Sequence, residues 1–135
     1  MKITHVSLTV GDQDQAVQWF SDMLGFRKVQ DAPFRPGARW VTVSPPDQAI
    51  EIILEHESMA DGEAMAAEFR ERVGKSGTIA LEVPDVRALS ADLKAKGVTF
   101  EMEPNEYPWG IQAIIADPYG NKFMINQTPP NGSAQ

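Results

Sequence analysis

The stretch ITHVSLTVGD, residues 3–12, decides the fold, because a related pattern, SGTIALEVPD, begins 73 positions later at residue 76. In the first stretch apolar and polar residues alternate up to Val10, which is the period of a strand with one buried face. Gly11 ends this strand, and Asp12 is a good helix N-cap. The second stretch alternates in the same way and reaches the equivalent cap at Asp85. The match predicts an internal duplication.

Each half of the chain predicts the order strand, helix, strand, strand, strand. The helices of the two halves follow Asp12 and Asp85, and a connecting helix is predicted between the halves over residues 59–73. A loop that contains Pro33 and Pro36 separates the second strand from the third. The predicted strands are residues 3–10, 26–30, 40–43 and 50–54 in the first half and 78–83, 98–102, 111–116 and 122–127 in the second.

Composition excludes several classes of function. The 135 residues allow one domain, and the net charge of −7 disfavours nucleic acids and anionic membrane surfaces, both of which attract clustered Lys and Arg. Cysteine is absent from the sequence, and two histidines, His5 and His56, cannot form a three-histidine metal site within one chain. We expect a cytoplasmic protein without contact to membranes, since no apolar run has the length of a spanning helix and the N-terminus lacks the apolar stretch of a signal peptide.

Four stretches of the sequence together resemble the vicinal oxygen chelate superfamily, which includes glyoxalase I, bleomycin-resistance proteins and extradiol dioxygenases. They are ITHVSLTV (residues 3–10), IEI (50–52), GTIALEV (77–83) and DPYGNKF (117–123). The resemblance implies an α+β fold in which two βαβββ modules form a curled mixed sheet, with the binding site inside the cup. It fixes no single function, because the superfamily hosts lyases, transferases, dioxygenases and binding proteins.

The same resemblance implies the organisation of the chain. We expect a single domain over residues 1–127, with module one at about 1–57, a connector at 58–76 and module two at about 77–127. Residues 128–135 are polar, contain Pro and Gly, and predict a flexible tail. A homodimer is expected, because four-stranded modules leave strand edges that such proteins cover by association.

Metal-dependent members of the superfamily use four strand positions, which the resemblance places at His5, Glu51, Thr78 and Met124. Only His5 and Glu51 are good ligands for a transition metal, and two protein ligands seldom hold one well. We therefore expect no cofactor, or at most a weakly bound divalent metal on His5 and Glu51. Glu51 is the one candidate catalytic base of the four positions. Without a metal, His5 and Glu51 either pair with each other or contact a ligand, together with Thr78 and Met124.

Aromatic residues supply the other candidate ligand contacts. Trp40 opens a predicted strand, and Tyr107 and Trp109 precede another, at positions that border the cup in similar proteins. Flat side chains at the mouth of the cup suit stacking on a planar or hydrophobic ligand. The alternative is that they cover the core or a dimer interface. The charged run at residues 55–57 is interpreted as a solvated strand end.

The leading hypothesis is a protein that binds a small hydrophobic or aromatic molecule in a cup with an incomplete metal site. The alternative is a metal-dependent lyase or isomerase of the glyoxalase type, or a dioxygenase, that uses His5 and Glu51. An interaction module without a small ligand is the third possibility. The sequence contains no Gly-rich phosphate loop and no serine-nucleophile motif.

Overall fold

A computed structural model describes residues 1–129, and these residues form two compact units. Unit one contains residues 1–76 and the short segment 118–120, and unit two contains residues 77–117 and, among the described residues, 121–129. The predicted tail begins at Thr128 and lies mostly outside the described residues. Thr128 itself donates its backbone N–H and its hydroxyl to Glu82 Oε2, both at 3.0 Å.

Unit one is built around a four-stranded mixed sheet in the order β1-β4-β3-β2. Strands β1 and β4 are parallel, and the other neighbouring pairs are antiparallel. The elements are β1 (His5–Thr9), α1 (Gln13–Leu24), β2 (Arg27–Arg35), β3 (Ala38–Ser44), β4 (Glu51–Glu55), a short 3₁₀ helix (Glu57–Met59) and α2 (Glu63–Arg72).

The core of unit one lies between this sheet and α1. Asp12 caps α1 as predicted, accepting a hydrogen bond from the Gln15 backbone N–H at 2.9 Å. Phe20 on α1 is fully buried and stacks on Phe26, with ring centroids 5.5 Å apart. Because side chains alternate along a strand, every second residue of the sheet points toward α1. The buried side chains on this face are Leu8, Val41, Val43, Ile52 and Leu54.

Unit two repeats the arrangement, with its sheet in the order β5-β8-β7-β6. Asp85 caps α3 as predicted, accepting from the Ala88 N–H at 3.0 Å. The core of unit two centres on Val86, Ala113 and Ile125. The elements are β5 (Thr78–Glu82), α3 (Val86–Ala95), β6 (Thr99–Tyr107), β7 (Gly110–Ala116) and β8 (Lys122–Gln127). The α+β class and the two βαβββ modules are thus both confirmed.

The prediction of a loop at Pro33 is wrong, because β2 continues through this residue to Arg35. The strand tolerates the proline because β2 is the edge strand of its sheet, where a missing N–H breaks no ladder. A register shift between Pro33 and Arg35 marks the irregularity. In unit two, β6 extends through Pro104 in the same way, and it is likewise an edge strand.

The connecting helix is shorter than predicted and begins later, at Glu63. No residue of α2 is buried, so its apolar side chains add little to the core. Among the described residues, no helix has the length and apolar character needed to span a membrane.

Candidate functional site

Strands β1 and β4 place His5 and Glu51 side by side. The two residues are direct partners in the parallel ladder, and His5 Nε2 lies 3.7 Å from Glu51 Oε1. Their side chains are 33% and 19% exposed, so both remain accessible to a small molecule. Thr42 on β3 donates its hydroxyl to Glu51 Oε1 at 2.6 Å. This hydrogen bond offsets the cost of holding a carboxylate on an otherwise apolar strand.

An aromatic row leads away from this pair, which we define as Phe34, Trp40 and His5. The ring centroids of His5 and Trp40 are 6.1 Å apart in an edge-on arrangement, and those of Trp40 and Phe34 are 5.9 Å apart. Trp40 Nε1 donates to Gln30 Oε1 at 2.6 Å, which fixes the orientation of the indole. The row places aromatic rings next to the carboxylate of Glu51.

Alternation along β3 explains why the row and the core occupy opposite faces. Trp40 and Thr42 point to one face, while Val41 and Val43 point to the other and are buried against α1. Thr42 and Gln30 were missed by the sequence analysis. Thr42 could have been found as the residue two positions after Trp40, whereas Gln30 depends on the pairing of β2 with β3.

In unit two, Thr78 and Met124 are not direct partners. Thr78 pairs with Lys122, and Met124 pairs with Ala80. The repeat of 73 residues therefore holds for β1 and β5 but not for β4 and β8. The register shows that Glu51 corresponds to Lys122, since His5 pairs with the former and Thr78 with the latter. The second unit thus places a cation where the first has a carboxylate.

The side chains around Met124 are neutral or paired. Gln112 donates its amide to the Met124 sulfur. Lys122 Nζ lies 3.5 Å from a carboxylate oxygen of Glu101.

Tyr107 is the last residue of β6, and Trp109 lies in the turn that joins β6 and β7. Their rings are stacked, with centroids 4.7 Å apart and planes 5° from parallel. Tyr107 covers one face of the indole, and Trp109 is still 46% exposed. The pair therefore forms a flat aromatic surface.

The residues implied for a metal site do not fit one. Within the described part of the chain, no group of three or more His, Asp and Glu side chains is arranged to hold an ion. His5 and Glu51 supply two donors, and the corresponding positions of unit two hold a hydroxyl and a cation or thioether. Such a set is poor in the nitrogen and oxygen ligands that transition metals require.

The charged run at residues 55–57 is more ordered than the predicted solvated strand end. Glu55 Oε1 accepts from the Thr9 hydroxyl at 2.8 Å and from Arg72 at 2.9 Å. His56 accepts from the Ser58 N–H at 3.1 Å and so caps the 3₁₀ helix. These residues have structural roles, and they do not belong to a group of side chains that could hold a metal ion.

A separate ion cluster lies on the opposite face of β3 from Trp40. Arg39 contacts Asp14 at 2.8 Å and Asp31 at 3.0 Å. Hydrogen bonds from Arg39 and, to a smaller extent, Lys28 lower the pKa of Asp31 from 3.8 to about 2. The same guanidinium lowers the pKa of Asp14. This cluster ties α1 to the edge of the sheet and is not part of the candidate site.

Comparison with known proteins identifies the family of this chain. The family model "Glyoxalase/Bleomycin resistance protein/Dioxygenase superfamily" matches residues 2–125. The uncharacterised protein YurT of Bacillus subtilis (strain 168) is 36% identical over 131 residues, which cover 94% of this chain and 99% of YurT. The lactoylglutathione lyase of Haemophilus influenzae is 27% identical over 139 residues, with 98% of each chain covered.

A solved structure of an antibiotic binding protein is also similar. TnmS3 from Streptomyces sp. CB03234 matches with a TM-score of 0.77 and 28% sequence identity, over 96% of this chain and 97% of TnmS3. The family match covers both βαβββ units almost entirely. This chain therefore belongs to the glyoxalase/bleomycin resistance protein/dioxygenase superfamily.

Proposed function

We propose that this protein binds a small hydrophobic or aromatic molecule and does not depend on a metal to do so. The single observation that supports this most is the aromatic row Phe34–Trp40–His5, which ends beside the carboxylate of Glu51. Small-molecule sites combine apolar and aromatic walls with a few placed polar groups. The row and Glu51 provide both kinds of surface within one sheet.

In unit one, His5 and Glu51 supply polar contacts for the proposed ligand, and Trp40 supplies a stacking contact. In unit two, Thr78, Met124, Tyr107 and Trp109 stay candidate contacts. The orientation of Trp40 is fixed by its hydrogen bond to Gln30, so little freedom is lost when a ligand stacks on it. The similarity to TnmS3, an antibiotic binding protein, supports a binding role for this scaffold.

Tryptophan fluorescence tests the proposal directly. In a variant with Trp19→Phe and Trp109→Phe, Trp40 is the one remaining indole. Titration with planar aromatic probes, including quinoline and 2-naphthol, should quench its emission saturably and raise the melting midpoint. Trp40→Ala should weaken binding about tenfold, since the loss of one stacked aromatic contact costs about 1.4 kcal/mol.

Trp19→Phe alone serves as the matched control, because Trp19 lies on α1 and packs edge-on against Phe20. Binding should be unchanged in this variant. If no probe gives saturable quenching at Trp40, or if Trp40→Ala binds as well as the control variant, the proposal is wrong.

A metal-dependent lyase or dioxygenase is the second candidate. The adjacent His5 and Glu51 favour it, as does the 27% identity to a lactoylglutathione lyase, and Glu51 would then be the catalytic base. Calorimetric titration with Ni²⁺, Zn²⁺, Mn²⁺ and Fe²⁺ separates the two candidates. Stoichiometric uptake at micromolar affinity that His5→Ala abolishes would favour the enzyme, and silence would favour the binding protein.

We also propose that the protein is a homodimer located in the cytoplasm. The outer strands β1, β2, β5 and β6 each have one side without a partner strand in their own sheet, and association is a common way to cover such edges. Sedimentation velocity at several concentrations distinguishes a dimer from a monomer.

A further inference from the structure

A small pocket is lined entirely by residues of unit two. Its walls come from Trp109 and Ile111 at the start of β7 and from Asn126 and Gln127 at the end of β8. Glu82, at the end of β5, completes it, together with Gln112. The cavity is about 120 Å³, well below the ~300–1,000 Å³ of pockets for drug-sized molecules. Its size suits a small ligand or the headgroup of a larger molecule.

The pocket carries a negative charge. Glu82 is the only ionisable side chain among the described residues that line it. Thr128 donates twice to Glu82 Oε2, and within residues 1–129 the second oxygen, Oε1, has no hydrogen-bond partner. The carboxylate is thus held in place while one oxygen stays available. An anionic ligand would be repelled, both here and by the net charge of −7.

The aromatic wall has the arrangement that binds cations. Tyr107 stacks on Trp109 but does not line the pocket, so the pocket borders the indole on a side that Tyr107 leaves open. Tryptophan is the aromatic side chain that attracts cations most strongly, through the negative potential of its ring face. The stacked tyrosine restricts the indole, which prepares this wall before any ligand arrives.

The carboxamides of the pocket add neutral polar groups. Gln112 donates its amide nitrogen to the sulfur of Met124, which leaves its carbonyl oxygen free to accept. Gln127 is fixed by the Val86 N–H, which donates to its Oε1 at 2.9 Å. A positively charged group in the pocket would therefore meet a carboxylate and an indole, among side chains that are otherwise neutral.

We propose that this pocket binds a small organic cation of the quaternary-ammonium class. The inference goes beyond the proposed function, because it concerns a pocket that contains neither the aromatic row nor Glu51. Trp109 belongs to both proposals, but the charge selectivity rests on Glu82. The pocket takes a free cation or the cationic headgroup of a larger molecule.

Choline chloride is the probe for the test. In a variant with Trp19→Phe and Trp40→Phe, Trp109 is the remaining indole and reports on this pocket. Choline should change its emission saturably, whereas sodium chloride at equal ionic strength and the uncharged isostere 3,3-dimethylbutan-1-ol should not. Glu82→Gln should weaken choline binding at least about fivefold, because it removes the charge and keeps an oxygen for Thr128.

Glu68→Gln is the matched control, since it makes the same change of charge on the exposed surface of α2. It should leave choline binding unchanged. Trp109→Leu, followed by calorimetry, provides a second variant that retains Glu82 and should also lose binding. An equal response to the uncharged isostere, or equal binding by Glu82→Gln and Glu68→Gln, would overturn the proposal. Planar aromatic probes followed at Trp40 report on the proposed function separately, so the two failures are distinguishable.

Discussion

Gly74→Ala is expected to destabilise unit one far more than the same change at Gly77. Both glycines lie between α2 and β5, and both have positive φ angles, +77° and +95°. A Cβ on Gly74 would lie 1.8 Å from the backbone oxygen of Tyr119, whereas a Cβ on Gly77 would have nothing within 4 Å. The two substitutions therefore share the conformational strain and differ in the steric overlap.

The magnitude follows from this difference. An L-residue with positive φ costs about 1 kcal/mol, which applies at both positions. At Gly74 the backbone of Tyr119 must also move, and Tyr119 is anchored because its hydroxyl donates to the Asp12 carbonyl at 3.0 Å and contacts Gln15. Overlap of this kind costs about 2–3 kcal/mol more. We expect a loss of about 3–4 kcal/mol for Gly74→Ala and about 1 kcal/mol for Gly77→Ala.

Urea denaturation followed by far-UV circular dichroism measures both losses against the parent protein. Gly77→Ala is the matched control, since the change in the unfolded chain is the same for both variants. Losses that agree within about 0.5 kcal/mol would show that segment 118–120 does not pack against Gly74, and the reasoning would be refuted.

Three further predictions concern stability. Asp31→Asn should remove a pH-dependent contribution that is complete above the unfolded pKa near 3.8 and is lost as the pH falls through about 2. This contribution to the free energy of unfolding should be about 1 kcal/mol or less, because the side chains of Asp31 and Arg39 are 28% and 39% exposed. Urea titrations at pH 5 and pH 2.5 should show that the parent protein loses more stability on acidification than the variant. Equal losses would contradict the ion pair. Tyr119→Phe should cost about 1 kcal/mol in urea denaturation by removing the hydrogen bond to Asp12, and an unchanged midpoint would count against that anchor. Leu54→Ala should cost about 2–5 kcal/mol in the same assay, because Leu54 is fully buried, and a loss below about 1 kcal/mol would show a loosely packed site.

Local patterns in the sequence predicted most of the fold. Alternation identified β1 and β5, and the caps at Asp12 and Asp85 located the starts of α1 and α3. These features depend on neighbours in the chain, so a pattern of a few residues is enough to predict them. The loop predicted at Pro33 failed because the rule against proline in strands applies to paired positions, and the edge position of β2 follows from the tertiary fold.

The candidate site was only partly predictable. His5, Glu51 and Trp40 were found, and the structure brings His5 close to both of the others. The correspondence of Met124 with Glu51 failed, because the register of β8 is offset from the repeat by two residues. The pocket at Glu82 was missed, since its residues are spread over three strands and share no sequence pattern.

The sequence by itself determined which side of β1 and of β5 is apolar, where α1 and α3 begin and that the chain is duplicated. The tertiary structure alone decided which strands are neighbours, which residues stand opposite each other and which carboxylates are paired. The physical reason is that backbone hydrogen bonds between strands are the same for nearly every residue, so register is selected by loop lengths and packing across the sheet. Lys122 opposite Thr78 and Glu51 opposite His5 are therefore outcomes of folding that no local pattern contains.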